Sequence, residues 1–202
     1  MSDELYEELI VQYENATRTV MAQLLNLQHE LLESKTIRNP IDSIHSRIKT
    51  YESLTDKCVR RGIDPDDIYR IKNEVRDIAG IRIICLYRDD INRIEEMINQ
   101  MPGMWVKETK DYVTNPKENG YQSKHLIVYV QVSSLTEGQL KVPVEIQIRT
   151  LMMQAWSQVE HRSKYKSKNP NPDTPEKLRE VAELLHRVDD IFVDIRRQDG
   201  EG

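Results

Sequence analysis

The chain has 202 residues, 38% hydrophobic and 31% charged, with only 7 Gly and 8 Pro, which excludes a disordered or low-complexity chain and allows one sizeable domain with helical extensions. No apolar run could span a bilayer, the terminus MSDELYEELI has neither a basic start nor a signal core, and two cysteines without ligand spacing (Cys58, Cys85) suggest reduced thiols in a cytosolic setting. The formal charge of −5 is unevenly spread: residues 1–34 carry −6 and residues 173–202 carry −4, which leaves +5 for the middle and points there for an anionic ligand.

Residues 3–34 are expected to form one amphipathic helix, with Leu9, Tyr13, Ala16, Val20, Leu24, Leu27 and Leu31 on its apolar stripe. Asn39-Pro40 ends it. Residues 44–49 read as a short strand with a basic face, followed by a helix from about Glu52, with Ser53 at its start and Gly62 as its stop. A short helix is expected from Asp64-Pro65. The period then changes: residues 81–86 read as a buried strand and 90–100 as a helix. Strands follow at about 105–113, 124–132 and 142–149, joined by turns around Asn119-Gly120 and Thr136-Glu137-Gly138. Helices return at 151–165 and 174–197, the last with Leu178, Val181, Leu185, Val188, Phe192 and Ile195 on one stripe. The expected fold is α+β: a mixed sheet of about five strands with flanking helices and long terminal helices, divided as 1–38, 39–168 and 169–202.

Four clusters in the basic middle carry chemistry. In the first, Arg47 and Lys49 share a strand face, and Ser53 and Lys57 open the next helix, whose free N–H groups favour an anion. A solvated strand edge with a capped helix is the plain alternative. In the second, Asp77 enters a buried strand through Gly80 and Arg82; a carboxylate there can hold Mg²⁺, or can simply pair with Arg82. The third, Lys117-x-Asn119-Gly120-Tyr121-x-Ser123-Lys124-His125, reads either as a turn or as a base-binding loop. In the fourth, strict alternation puts Glu145, Gln147 and Arg149 on one strand face. On the following helix Trp156, Glu160 and Lys164 fall along one side. Lys107, Lys110, His161 and Lys164 are further candidate phosphate contacts.

The ordered set Arg-x-Lys-x-x-x-Ser, Asp-x-Ala-Gly-x-Arg, Pro-Lys-x-Asn-Gly-Tyr-x-Ser-x-His and Glu-x-Gln-Ile-Arg-Thr resembles the synthetase domain of the RelA/SpoT family over about residues 40–168. The flanking helices are similar to those of its short, single-domain members. The resemblance implies a nucleotidyltransferase-like fold and transfer of the β,γ-pyrophosphate of ATP to the 3′-hydroxyl of GDP or GTP, with AMP released. It also implies roles. Arg47 and Arg82 would sandwich adenine, while Lys49, Ser53 and Lys57 would hold the ATP phosphates. Asp77 and Glu145 would bind Mg²⁺, with Glu145 as base. Tyr121 would stack on guanine, and Lys117, Asn119, Ser123 and His125 would hold the acceptor. Gln147 and Arg149 would complete the site. Other expectations are a bacterial cytoplasmic location, a homo-oligomer formed through the terminal helices, and no membrane contact. No histidine is followed by Asp, so the family's His-Asp hydrolase is not expected in these residues. The rival acceptors are an adenine nucleotide or the 3′ end of tRNA, nucleic acid otherwise entering only as a regulator. A binding module without chemistry ranks last, because both carboxylates are present. Lys124 could face a highly charged acceptor or lie in solvent.

Overall fold

The computed structural model describes residues 1–135, 137–166 and 173–200, with the backbone alone at 164–166. Five strands, β1 (Ser43–Ile48), β2 (Ala79–Cys85), β3 (Met104–Asp111), β4 (Lys124–Ser134) and β5 (Gly138–Thr150), form one sheet in the order β1-β2-β5-β4-β3. Only β2 and β5 run parallel; the remaining neighbours are antiparallel, so the sheet is mixed. Among the described residues six helices accompany it: α1 (Asp3–Glu33), α2 (Tyr51–Arg60), α3 (Ile68–Glu74), α4 (Asp90–Gln100), α5 (Leu151–Lys166) and α6 (Thr174–Gln198).

Alternation along β5 sends Val144, Ile146 and Ile148 to one face, and α1 and α4 cover that face. Leu9, Tyr13, Ala16, Val20, Leu24 and Leu31 of α1 are all buried, as the stripe predicts, and Leu27 is half-buried. Each fully buried leucine or valine among them contributes about 1.5–3 kcal/mol when taken from water, so α1 closes the core. The opposite face of β5 carries the polar residues.

Local starts differ from the sequence reading in two places. Thr50, not Ser53, caps α2, its hydroxyl accepting from the Ser53 N–H. Asp64-Pro65 forms a turn, and α3 begins three residues later behind the cap Asp67. The loop through Asn119-Gly120 joins β3 to β4 but runs from 112 to 123, longer than a tight hairpin. Thr136 of the other predicted turn lies outside the described residues.

The larger correction concerns α6. Its buried positions are Ala182, Asp189, Val193 and Arg196, whereas Val181, Phe192 and Ile195 of the predicted stripe are exposed. Polar anchors set this rotation. Arg196 pairs with Asp89 and Asp90 and lies over the Tyr87 ring, whose centroid is 4.7 Å from the guanidinium. Thr150 donates to Asp189 at 2.8 Å, and Arg88 reaches Asp190 at 2.8 Å. Apolar spacing cannot reveal partners that lie a hundred residues away.

Burial pushes the Asp189 carboxyl up to about 6, against the lowering effects of Thr150 and Arg88. A folded-state value above the ordinary 3.8 means that the stability linked to it is complete below 3.8 and lost as pH rises through about 6. That difference corresponds to about 3 kcal/mol. Asp189→Asn should therefore gain stability over the parent protein at pH 8 and gain less at pH 4. Thermal melts at the two pH values check this; an equal gain at both would contradict the burial argument.

Candidate active site

The polar face is built by register. Gly80 lies opposite both Arg47 on β1 and Glu145 on β5, and Arg82 lies opposite both His45 and Gln147. On the other side of β5, His125 of β4 faces Gln147. All four sequence clusters thus meet on adjacent strands. Gly80 lies directly against the Arg47 side chain: a Cβ there would sit in ordinary contact, 3.5 Å from Arg47 Cγ. Arg82 is half-buried, its Nε has no hydrogen-bond partner, and burial with Arg149 and Arg47 nearby lowers its pKa. Three converging guanidiniums repel one another, so the arrangement favours an anion or an electron-rich base.

The expectation that Asp77 could pair with Arg82 does not hold. Asp77 Oδ2 accepts instead from Lys57 at 2.6 Å and Lys49 at 3.4 Å. Burial would raise its pKa, but the two lysines outweigh that and lower it. Its other oxygen, Oδ1, is buried with no partner. The Asp77 charge reaches Glu145, on whose proton it acts. An orphaned carboxylate oxygen within electrostatic reach of a second carboxylate fits a hard divalent cation completed by phosphate oxygens. Among the described residues no group of three or more His, Cys, Asp or Glu could hold a metal alone, so substrate oxygens would have to supply the remaining ligands.

Glu145 is held from both sides. His125 Nδ1 lies 3.1 Å from Oε1, and Gln147 Nε2 donates to Oε2 at 2.7 Å. Burial alone would raise its pKa, yet these contacts prevail and lower it, so the group is ionised at neutral pH. Gln147 Oε1 accepts from Arg149 at 2.8 Å, Arg149 donates to the Tyr121 hydroxyl at 2.6 Å, and that hydroxyl meets His125 Nε2 at 2.7 Å. Five side chains therefore close one hydrogen-bonded ring. Ser123, fully buried, accepts from Arg149 Nε at 3.3 Å and donates to the Ile148 carbonyl.

The loop that presents Tyr121 is fixed by Asn119, whose Oδ1 accepts from the Tyr121 N–H and whose amide donates to Glu160. Gly120, at φ +89°, packs so tightly that an added Cβ would lie 2.6 Å from the Ala182 Cβ of α6. Lys117 Nζ sits 4.5 and 4.9 Å from the ring centroids of Tyr112 and Tyr121.

Arg47, Arg82, Lys117, Tyr121, Gln147, Arg149 and His161 all line one cleft of about 530 Å³. Other candidates lie elsewhere. Lys107 is exposed at a bulge in β3, and Lys110, also exposed, pairs with Glu108 at 3.1 Å; neither lines the cleft. Ser53 is exposed in the first turn of α2, and the Lys164 side chain lies outside the described residues. Lys124 is neither solvated nor in the cleft: it is buried on the apolar face, bound to Asn92, Glu95 and Asp111. The sequence reading also missed Gln154, Ser157, Gln158 and Arg162, which line the cleft. Gln154, Ser157, Gln158 and His161 recur at helical spacing, a polar stripe just beside the 156/160/164 stripe singled out from sequence, and Trp156 of the latter is buried against α6.

Residues 46–170 match the family model described as "Region found in RelA / SpoT proteins". GTP pyrophosphokinase YwaC of Bacillus subtilis (strain 168) is 35% identical over 181 residues, covering 89% of this chain and 82% of the relative. GTP pyrophosphokinase YjbM of the same organism is 32% identical over 197 residues, covering 97% and 90%. The crystal structure of small alarmone synthetase 1 from Bacillus subtilis bound to its product pppGpp superposes with a TM-score of 0.87 at 32% identity, over 97% of this chain and 98% of that one. The same enzyme bound to AMPCPP gives 0.81 at 29% identity, over 99% and 100%.

Proposed function

The chain belongs to the RelA/SpoT family, and on that footing we propose that it is a GTP pyrophosphokinase, making pppGpp or ppGpp and AMP from ATP and GTP or GDP. The observation that carries the reading is the joint presence of an ionised Glu145 clamped between His125 and Gln147, and a guanidinium-lined cleft beside it.

The chemistry is nucleophilic attack by the acceptor O3′ on the β-phosphorus of ATP. The O3′–P bond forms, the bond from the β-phosphorus to the bridging oxygen breaks, and AMP leaves with that oxygen. The main barriers are charge and alignment. Arg47 and Arg82 stack on the adenine, and Lys49, Lys57 and Ser53 meet the donor phosphates. Tyr121 stacks on the guanine, with Asn119, Lys117, Ser123 and His125 holding the acceptor nucleotide. Glu145 takes the proton of the 3′-hydroxyl, while Gln147 and Arg149 hold Glu145 and the acceptor side of the cleft. Mg²⁺ held by Asp77 and Glu145 would supply neutralisation of the phosphate charge during transfer. His161 is a further phosphate contact at the cleft wall.

The exposed apolar positions Val181, Ile191, Phe192 and Ile195 on α6 support a homo-oligomer through the terminal helices, a dimer or tetramer. Among the described residues no helix is long and apolar enough to cross a membrane. An acceptor panel tests the substrate: with labelled ATP, GDP and GTP should be pyrophosphorylated, while adenine nucleotides and tRNA should not. Labelling of tRNA or an adenine nucleotide in place of the guanosine acceptors would overturn the assignment.

A further inference from the structure

Tyr121 has two chemically separate ends. Its ring can stack, and a ring can do so without a hydroxyl. The hydroxyl is placed where it decides something else. Arg149 can only donate, so at 2.6 Å the Tyr121 oxygen is its acceptor. The single phenolic proton then has His125 Nε2, at 2.7 Å, as its acceptor. A neutral imidazole that accepts at Nε2 carries its proton on Nδ1, and Nδ1 is the atom facing Glu145 Oε1 at 3.1 Å. The other tautomer would set the Nδ1 lone pair against a carboxylate oxygen and would turn the phenolic proton away from the imidazole, toward Ser123. Only the Nδ1–H form satisfies every donor and acceptor of the ring. His125 and Arg149 are both buried, so a group left unpaired there has little access to water.

We propose that the Tyr121 hydroxyl is a positioning group: acting through His125, it fixes the imidazole as an Nδ1–H donor and so holds Glu145 in place for the acceptor hydroxyl. The consequence for turnover rests on the reading of Glu145 as proton acceptor; the tautomer does not. Tyr121 would then serve two steps with two parts of one side chain, the ring for binding and the hydroxyl for the reaction.

Tyr121→Phe separates them. Side-chain ¹⁵N NMR of His125 in the nucleotide-free protein should show a protonated Nδ1 in the parent protein, and a mixture of tautomers or a protonated Nε2 in the variant. Steady-state kinetics should show kcat lowered about 10- to 100-fold, as for groups that orient a reacting residue, with KM for the guanosine acceptor within about twofold, since remote orientation leaves ground-state binding alone. In a His125→Asn background, where the amide can donate to Glu145 without a tautomer, removing the hydroxyl should change kcat no further. A parent protein with its proton on Nε2 overturns the proposal, and so does a Tyr121→Phe variant that retains kcat. A rise in KM at constant kcat also overturns it, because the hydroxyl would then be touching the acceptor. If Glu145→Gln remains active, the base assignment fails, while the NMR result still decides the tautomer.

Discussion

Glu145→Gln is expected to lower turnover about 1,000-fold, within the range a positioned general base supplies. The substitution keeps the side chain's shape, and the apolar residues of β5 on the opposite face are untouched, so the sheet should remain folded. What changes is charge and proton affinity. Both oxygens of Glu145 now accept, one from the side of His125 and one from Gln147. A glutamine would point an N–H₂ at one of these donors, and it could not take a proton from the acceptor hydroxyl. Release of AMP from ATP in the presence of GTP measures the loss, and circular dichroism checks the fold. A folded variant with near-parental turnover would remove Glu145 from the reaction.

Asp77→Asn should also lower turnover, by at least about 100-fold, since it removes one of two carboxylates able to hold the cation. It should in addition act on stability. Lys49 and Lys57 both converge on Asp77, and both are largely buried. Without the carboxylate two cations face each other with little solvent; a fully buried pair so broken costs about 3–5 kcal/mol, and partial exposure makes the expected cost here smaller, about 1–3 kcal/mol. The pH dependence has a definite sign. Because the Asp77 carboxyl titrates below its ordinary 3.8 when folded, its contribution is complete above that value and is lost as pH falls through the depressed one. The stability gap between parent and variant should therefore be full at pH 7 and shrink in acid. Denaturant melts at pH 7 and pH 3 measure it, and a gap that widens in acid would contradict the ion-pair argument. Titrating Mg²⁺ against activity should show the variant demanding more cation.

Much of this was legible because the relevant signals are local. The alternation Val144-Glu145-Ile146-Gln147-Ile148-Arg149 places three polar groups on one face from spacing alone, and the α1 stripe names its own buried residues. The combination Asn119-Gly120-Tyr121 marks a loop that both reverses the chain and presents an aromatic ring. What stayed hidden depends on partners remote in sequence. Lys124 looks like a loop lysine until α4 brings Asn92 and Glu95 to it. The inward side of α6 is set by Asp89, Asp90 and Thr150, so an arginine and an aspartate are buried there while Phe192 and Ile195 are exposed. Periodicity shows which residues share a face; it does not show what that face meets. The same holds for α5, where two stripes are chemically plausible and only the position of the sheet selects Gln154, Ser157, Gln158 and His161 for the cleft. The ring through Glu145, His125, Tyr121, Arg149 and Gln147 is likewise invisible as spacing, because it needs β4, β5 and the loop between β3 and β4 at once.

The central claim is that Glu145, Asp77 and the surrounding cations serve one reaction, transfer of an intact pyrophosphate group to the 3′-oxygen of a guanosine nucleotide. The most direct measurement is ³¹P NMR of the reaction of purified protein with ATP, Mg²⁺ and GTP, followed to completion. One AMP should appear for each guanosine product, with the new pyrophosphate on the 3′-oxygen and neither ADP nor free pyrophosphate accumulating. ADP as the co-product, or AMP released together with free pyrophosphate and an unchanged guanosine nucleotide, would contradict it.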